Sequence, residues 1–297
     1  MVKRLQIRCL PFLFSFKGNY DFSVVEMLVY FGNVPVFQTI GRASLCFVSY
    51  LGQLGFLIRE ILVSLTRGQR RKKQVVEQIA EIGARSQLVV CVTGAFTGAV
   101  LTAQTLFQFK LFGLETATGG LVSVAMLREL GPTITGLMLA GRVGSAMAAE
   151  IGTMKVSEQI DALRSMAVHP IDYLVTPRIV AMTISVPLLI AQSALLGILA
   201  SYVVGVFVFK VEGAYWVENM LLYVDLTDIT IATIKGLVFG LLIVVISCHQ
   251  GLKASNGAVG VGRSTTDAMV FSSLAILVAN FFLTLLMQII FPASLFQ

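Results

Sequence analysis

Charged residues are scarce in this chain of 297 residues: they make up 13% of it, against roughly 25% in an ordinary soluble domain. Hydrophobic residues make up 56%, and the two figures together exclude a typical water-soluble globule. The formal net charge is +6, but the basic residues lie in short stretches between apolar runs and form no stripe interleaved with aromatics. The composition predicts a polytopic membrane protein that does not bind nucleic acid.

Groups that bind metals or perform catalysis are also few. The chain has four cysteines and two histidines, with no C-x-x-C pair and no H-E-x-x-H motif. It has no Ser-His-Asp grouping and no paired carboxylates on one helix face. Residues 257–264 (GAVGVGRS) approach a P-loop, but Arg263 replaces the lysine and the flanking segments are apolar spans. We therefore expect no metal site, no catalytic residue and no cofactor in this chain.

Long apolar runs dominate what remains. A helix needs about 20 apolar residues to cross a bilayer, and three uncharged runs reach that length. A fourth, residues 236–252, reaches it only if residues 229–235, with Lys235, form its first part, and a fifth run carries several charges. The resulting fold class is an all-α membrane protein with about five transmembrane helices. The predicted spans are residues 87–110, 119–149, 178–209, 229–251 and 266–291.

The charged run is the second predicted span, which contains Arg128, Glu129 and Arg142. A charge within the hydrocarbon costs several kcal/mol unless it faces protein, water or a partner charge. Arg128 and Glu129 are therefore expected to line a cavity or a subunit seam. Pro132 follows them closely and would kink or interrupt the helix, which favours a broken helix over an uninterrupted one at this point.

The N-terminal region is harder to interpret. Residues 44–66 are apolar apart from Arg59 and Glu60 and precede a basic run, RGQRRKK. The charge balance favours an amphipathic helix lying in the interface over a sixth span, although both alternatives remain open. Residues 1–40 form an extension to which no role is assigned.

Charge asymmetry between the loops predicts the orientation. Basic residues concentrate before the first span, after the second and after the fourth, whereas acidic residues dominate the opposite loops. By the positive-inside rule, the N-terminus is cytoplasmic and the C-terminus lies on the outer side. Residues 156–167 in the longest cytoplasmic loop have the spacing of an amphipathic helix, which could lie on lipid, cap the bundle or dock into a groove on a soluble partner. Its acidic residues argue against an anionic membrane surface.

Two G-x-x-x-G pairs, Gly94 with Gly98 and Gly236 with Gly240, lie within the predicted spans. Such pairs let helix backbones approach closely in lipid. They favour a compact bundle or a dimer, although simple helix flexibility explains them equally well.

Several longer motifs are similar to those of the MlaE/YrbE family, the permease subunits of ABC transporters that move phospholipids or other lipids with an MCE-domain partner. The resemblance covers residues 41–297. The motifs are LRELGP at 127–132, AGRVGSAMAAEIGTM at 140–154, SEQIDAL at 157–163, MAVHP at 166–170, TPRIVA at 176–181 and GVGRSTTDAMVFSSLAIL at 260–277.

This resemblance implies a homodimeric permease that hydrolyses nothing itself, because ATP is bound by a separate cytoplasmic ATPase. It also implies an MCE-domain protein on the outer side, a small STAS-type cytoplasmic subunit and a lipid substrate. The implied location is the bacterial inner membrane, with a role in outer-membrane lipid asymmetry and a periplasmic C-terminus; a plastid envelope is the alternative.

The family's functional residues fall on identifiable positions of this chain. Those that bind lipid fall on Arg128, Glu129 and Lys235. The coupling helix that contacts the ATPase falls on residues 156–167. The residues implied in that coupling are Glu150, Glu158, Gln159, Ile160, Leu163 and Arg164.

Two other classes of function are compatible with the spans. A gradient-driven carrier or channel would use the charges within the membrane, but the chain shows no internal repeat of the kind such proteins often have. An intramembrane lipid-modifying enzyme would also need a lipid cavity, yet no catalytic group is present.

Overall fold

The computed structural model describes residues 36–67, 72–113, 115–255 and 257–290. Most of the predicted extension, residues 1–35, therefore lies outside the described residues, as do 68–71 and everything after 290. The described part is almost entirely helical and contains no strand. The helices are α1 (Val36–Arg67), α2 (Lys72–Lys110), α3 (118–156), α4 (Gln159–Ser165), α5 (Ile171–Val208), α6 (Gly213–Tyr223), α7 (Leu226–Leu252) and α8 (Gly257–Ile290).

Four of these helices, α2, α5, α7 and α8, are long and apolar enough to cross a membrane. The predicted all-α membrane fold is confirmed. Helix α3 coincides with the second predicted span, 119–149, but its α-helical segments have only 8, 9 and 12 residues. Two π-helical turns, Met126–Leu130 and Ala140–Gly144, join these segments into one continuous helix.

The interruption predicted at Pro132 is wrong, because the first π turn accommodates the proline. The N–H of Gly131 donates to the carbonyl of Met126, five residues earlier. This wider turn precedes Pro132, which lies in the first turn of the next α-helical segment, where the lack of an N–H is tolerated. Arg128 and Glu129 therefore lie on a widened helical turn.

The chain divides into two compact units, residues 1–59 and 60–297. The first contains most of α1, whose exposed side chains include Leu45, Val48 and Phe56. The predicted helix 44–66 lies within α1, which runs from Val36 to Arg67. Its location in the membrane interface stays a prediction. The second unit contains the end of α1 and the seven other helices.

Helix α5 is the central helix of the second unit, with α2 and α7 packed against it. A Cβ at Gly94 would collide with Ser193, and one at Gly98 would overlap the backbone of Gly197. On α7, a Cβ at Gly236 would lie 3.0 Å from the Cα of Pro187. Both G-x-x-x-G pairs thus bring helices together within one chain.

Helix α6 packs against the start of α3 at one end of the bundle, which we call the α6 end. Its Trp216 is fully buried, beside Gly205 of α5 and Gly119 of α3, where any side chain would collide with the indole ring. Helix α4 lies at the opposite end, the α4 end, where it connects α3 to α5.

Candidate functional site

Lys235 of α7 is the centre of a polar cluster inside the apolar bundle. Its side chain is fully buried, and it lies about 14 Å from the start of α7 at 1.5 Å per residue. The ammonium group donates to Glu129 Oε1 at 2.7 Å and to the carbonyl oxygen of Arg128 at 2.7 Å. A third hydrogen bond reaches Thr284 Oγ1 at 2.9 Å. All three donor hydrogens of this ammonium group therefore have acceptors.

Helix α8 completes the shell around Glu129. Asn280 Nδ2 donates to Glu129 Oε2 at 2.9 Å, and Thr284 Oγ1 lies 2.8 Å from Glu129 Oε1. Asn280 and Thr284 are four residues apart, so both project from one face of α8. The cluster thus ties together three helices, α3, α7 and α8.

Arg128 belongs to a second ion pair rather than to a pair with Glu129. Its Nε donates to Asp228 in the first turn of α7, and Asp228 is fully buried. Asp228 also accepts the backbone N–H of Asp225 at 3.1 Å, and Asp225 in turn caps the helix through Leu226. This capping box fixes the start of α7 and the position of the carboxylate that holds Arg128.

The two ion pairs make the cluster electrically neutral, because Arg128 and Lys235 are balanced by Asp228 and Glu129. The family resemblance implied that Arg128, Glu129 and Lys235 bind lipid, and the structure shows each of the two cations already paired with a carboxylate. The side chains of Arg128 and Glu129 retain 31% and 39% exposure, whereas Lys235 and Asp228 have none. Of the three predicted lipid-binding residues, only Arg128 and Glu129 have side chains that an outside molecule reaches directly.

Sequence reasoning missed three members of the cluster: Asp228, Asn280 and Thr284. Asp228 carried a signal, since it follows Asp225 at the three-residue spacing of a capping box. Asn280 and Thr284 carried another, since they are polar residues four apart in an otherwise apolar span. Within the described ranges, no three His, Cys, Asp or Glu side chains come together as metal ligands would.

The predicted coupling helix is shorter than 156–167. Val156 is the last residue of α3, and α4 runs only from Gln159 to Ser165. Glu158 and Ala167, at its two ends, have left-handed backbones with φ of 61° and 58°, which stop a helix of L-residues. Ile160 is buried and anchors α4, while Asp161 accepts from Lys155 at 3.3 Å and from Arg164 at 2.9 Å.

The remaining coupling residues separate into two places. Gln159 and Arg164 on α4 and Glu158 just before it are exposed, and Leu163 is half-buried, so this group is open to a partner. Glu150 instead accepts a hydrogen bond from the buried Arg178 at 2.6 Å. Sequence reasoning missed Met166, which follows α4 and is 63% exposed.

Comparison with known proteins identifies the family. The family model described as Permease MlaE matches residues 75–286. A protein of Synechocystis named as a probable ABC transporter permease is 39% identical over 232 residues, covering 78% of this chain and 88% of its own length.

The names of two further relatives refer to lipids. The intermembrane phospholipid transport system permease protein MlaE of Haemophilus influenzae is 34% identical over 257 residues, covering 86% of this chain and 98% of its own. The chloroplastic protein TRIGALACTOSYLDIACYLGLYCEROL 1 of Arabidopsis thaliana is 37% identical over 225 residues, covering 76% of this chain and 64% of its own. The chain thus belongs to the MlaE permease family and is the multi-pass membrane permease of an ABC transporter, a transport component and not an enzyme.

Proposed function

We propose that this permease moves phospholipid or a related lipid between its own membrane and an MCE-domain protein, powered by ATP hydrolysis on a separate subunit. The observation that carries the proposal is the polar cluster of Arg128, Glu129 and Lys235 within an apolar bundle of this family. Lipid tails require only apolar walls, while a headgroup requires hydrogen-bonding groups at membrane depth. The chain itself binds neither ATP nor any other cofactor.

The roles of the three residues in this proposal follow from their exposure. Arg128 and Glu129, which are partly exposed, contact the headgroup. The guanidinium donates to a phosphate oxygen, and the carboxylate accepts from a hydrogen-bond donor of the headgroup. Lys235 is a positioning residue, because its buried ammonium fixes Glu129 and the backbone of Arg128. Two copies facing each other across this surface would enclose the headgroup, which is why we propose a homodimer.

Orientation and partners complete the proposal. Basic residues at the α4 end favour the cytoplasm on that side, so the N-terminus is cytoplasmic and the C-terminus periplasmic, in the inner membrane of a bacterium with two membranes. The ATPase, and a small STAS-type subunit, would dock at the α4 end. The MCE-domain protein would bind at the α6 end, and the transport would serve the lipid asymmetry of the outer membrane.

The docking role of α4 is tested by Met166→Glu. A methionine exposed beside a short amphipathic helix fits a hydrophobic groove on a partner, and burying such a side chain contributes about 1.5–3 kcal/mol. We expect retention of the ATPase to fall about tenfold or more when the tagged protein is purified in mild detergent and its bound proteins are measured by mass spectrometry.

Leu111→Glu is the matched control, because Leu111 is 83% exposed at the α6 end. It removes a similar apolar side chain and adds the same charge, and we expect unchanged retention of the ATPase. Equal retention of the ATPase by both variants and the unaltered chain would contradict the docking role of α4. Absence of any ATPase from the unaltered protein, even after crosslinking, would contradict the proposed subunit composition.

A further inference from the structure

A second polar site lies between α2 and α3, near the α4 end and away from the Lys235 cluster. The two helices form a half-open cavity of about 150 Å³, well above the roughly 10–15 Å³ that a single water needs. Its polar lining comes from two short stretches of chain, one on each helix. These residues are Gln78, Glu81, Arg85 and Ser86 on α2, and Arg142 and Glu150 on α3.

The second π turn of α3 brings Arg142 to this cavity. Each of the two π turns in α3 contains one arginine: Arg128 in the first and Arg142 in the second. A π turn inserts one extra residue and shifts the register of the side chains that follow, and such turns are frequent at functional sites. Arg128 and Glu129 of the first turn belong to the Lys235 cluster, whereas Arg142 of the second turn does not.

The ion pairs around the cavity leave one arginine unpaired. Glu81 pairs with Arg85, and Glu150 pairs with Arg178 at 2.6 Å. Among the described residues, Arg142 has no carboxylate within ion-pairing distance. The charged residues of the lining, Arg85 and Arg142 against Glu81 and Glu150, sum to zero. Because Glu150 is also paired with Arg178, which lies outside the lining, the charge of Arg142 stays available to one phosphodiester.

Ser86 supplies an additional hydrogen-bond donor. Its side chain is only 2% exposed, and within the described ranges its hydroxyl has no hydrogen-bond partner although it lines the cavity. A buried hydroxyl without a partner is costly. The hydroxyl oxygen has almost no accessible surface as it stands, so an oxyanion in the cavity would accept from the Arg142 guanidinium, and from this hydroxyl once the Ser86 side chain rotates towards the cavity.

The depth of the cavity matches that of lipid headgroups. Arg85 is the last charged residue of α2 before its long uncharged run, which begins at Ser86. The cavity thus lies where the hydrocarbon core gives way to the polar interface, the level of the phosphates of one leaflet. A lipid there would place its phosphate in the cavity with its acyl chains along the apolar surface of α2.

We propose that this cavity binds a phosphate group, with Arg142 and Ser86 as its donors, and that lipids of the leaflet at the α4 end supply it. The site is distinct from the Arg128, Glu129 and Lys235 cluster. It requires that the chain spans a membrane, but it does not depend on the proposed ATPase or MCE-domain partners.

The test is photocrosslinking of the full-length purified chain, without partners, in detergent. The probe is phosphatidylglycerol with a photoactivatable group on its headgroup, titrated against protein, and the measured quantity is crosslinking to peptides containing residues 78–86 and 142–150. We expect saturable crosslinking whose apparent Kd rises about tenfold in Arg142→Gln and about threefold in Ser86→Ala, each having lost one donor to the phosphate. Thermal unfolding of each variant shows whether it remains folded.

The control variant is Lys73→Gln, which removes the same charge from the exposed N-terminal end of α2 outside the cavity. We expect it to crosslink like the unaltered chain, and a photoactivatable diacylglycerol lacking phosphate to crosslink to neither peptide. Competition by excess inorganic phosphate would show that the site takes the free anion, and failure to compete would show that it requires the lipid. Equal apparent Kd values for Arg142→Gln and Lys73→Gln, or equal crosslinking of diacylglycerol, would overturn the proposal.

Discussion

The Lys235→Met variant is expected to lose about 3 kcal/mol of unfolding free energy and all lipid transport. Methionine fills the space of the lysine stem but leaves the Glu129 carboxylate without its counter-charge. Removing one partner of a buried ion pair costs about 3–5 kcal/mol, and the 39% exposure of Glu129 favours the lower end. Trp216, the single tryptophan of the chain, is fully buried and provides a fluorescence signal for unfolding in detergent.

Adding Glu129→Gln to Lys235→Met separates stability from function. The double variant has no uncompensated charge. The glutamine oxygen still accepts from Asn280, and its NH2 group donates to Thr284 Oγ1 in place of the lost lysine, so we expect most of the lost stability to return. We expect lipid transport to stay absent, because the carboxylate that contacts the headgroup is gone. A double variant that transports lipid at the unaltered rate would show that the cluster only holds the helices together.

The Gly98→Ala variant is expected to lose about 3 kcal/mol through a single added methyl group. At this position α2 touches the backbone of α5, and the new Cβ would overlap the carbonyl oxygen of Gly197. No side-chain rotation relieves a collision with backbone, so the two helices must separate along their shared interface. The measurement is again the free energy of unfolding, followed through Trp216.

Gly83→Ala on the same helix is the matched control. No atom lies within 4 Å of the position its Cβ would take, so only the helix propensity changes. We expect a gain of up to about 1 kcal/mol, opposite in sign to the effect at Gly98. A loss at Gly98 no larger than about 0.5 kcal/mol would show that α2 and α5 do not pack as described.

The helical spans were predictable because their signal is local. An uncharged run of 20 residues has to be helical in a bilayer, since every backbone group must find a partner within its own segment. The G-x-x-x-G spacing of Gly94 and Gly98 indicated a close approach of helices as one of two alternatives, the other being simple helix flexibility. That the approach joins α2 to α5 of the same chain was not predictable, because the spacing carries no information about the partner helix.

The pairing within the polar cluster was not predictable, because it depends on contacts between residues far apart in the chain. Arg128 and Glu129 are neighbours in sequence and invite the interpretation of a mutual pair. In the structure Arg128 forms an ion pair with Asp228, 100 residues away, and Glu129 forms one with Lys235, 106 residues away. The π turn at Met126–Leu130 also changes the direction of these side chains, and periodicity analysis assumes 3.6 residues per turn throughout.

The most direct test of the proposed function is lipid movement in proteoliposomes containing the permease, its co-purified ATPase and its MCE-domain protein. A fluorescent phospholipid, followed as it leaves the membrane for the MCE-domain protein, reports the transport rate. We predict transfer that requires ATP, stops when the ATPase cannot hydrolyse ATP and is absent in the Glu129→Gln, Lys235→Met variant. Transfer that proceeds without ATP and follows an imposed ion gradient would contradict the proposal and indicate a gradient-driven carrier.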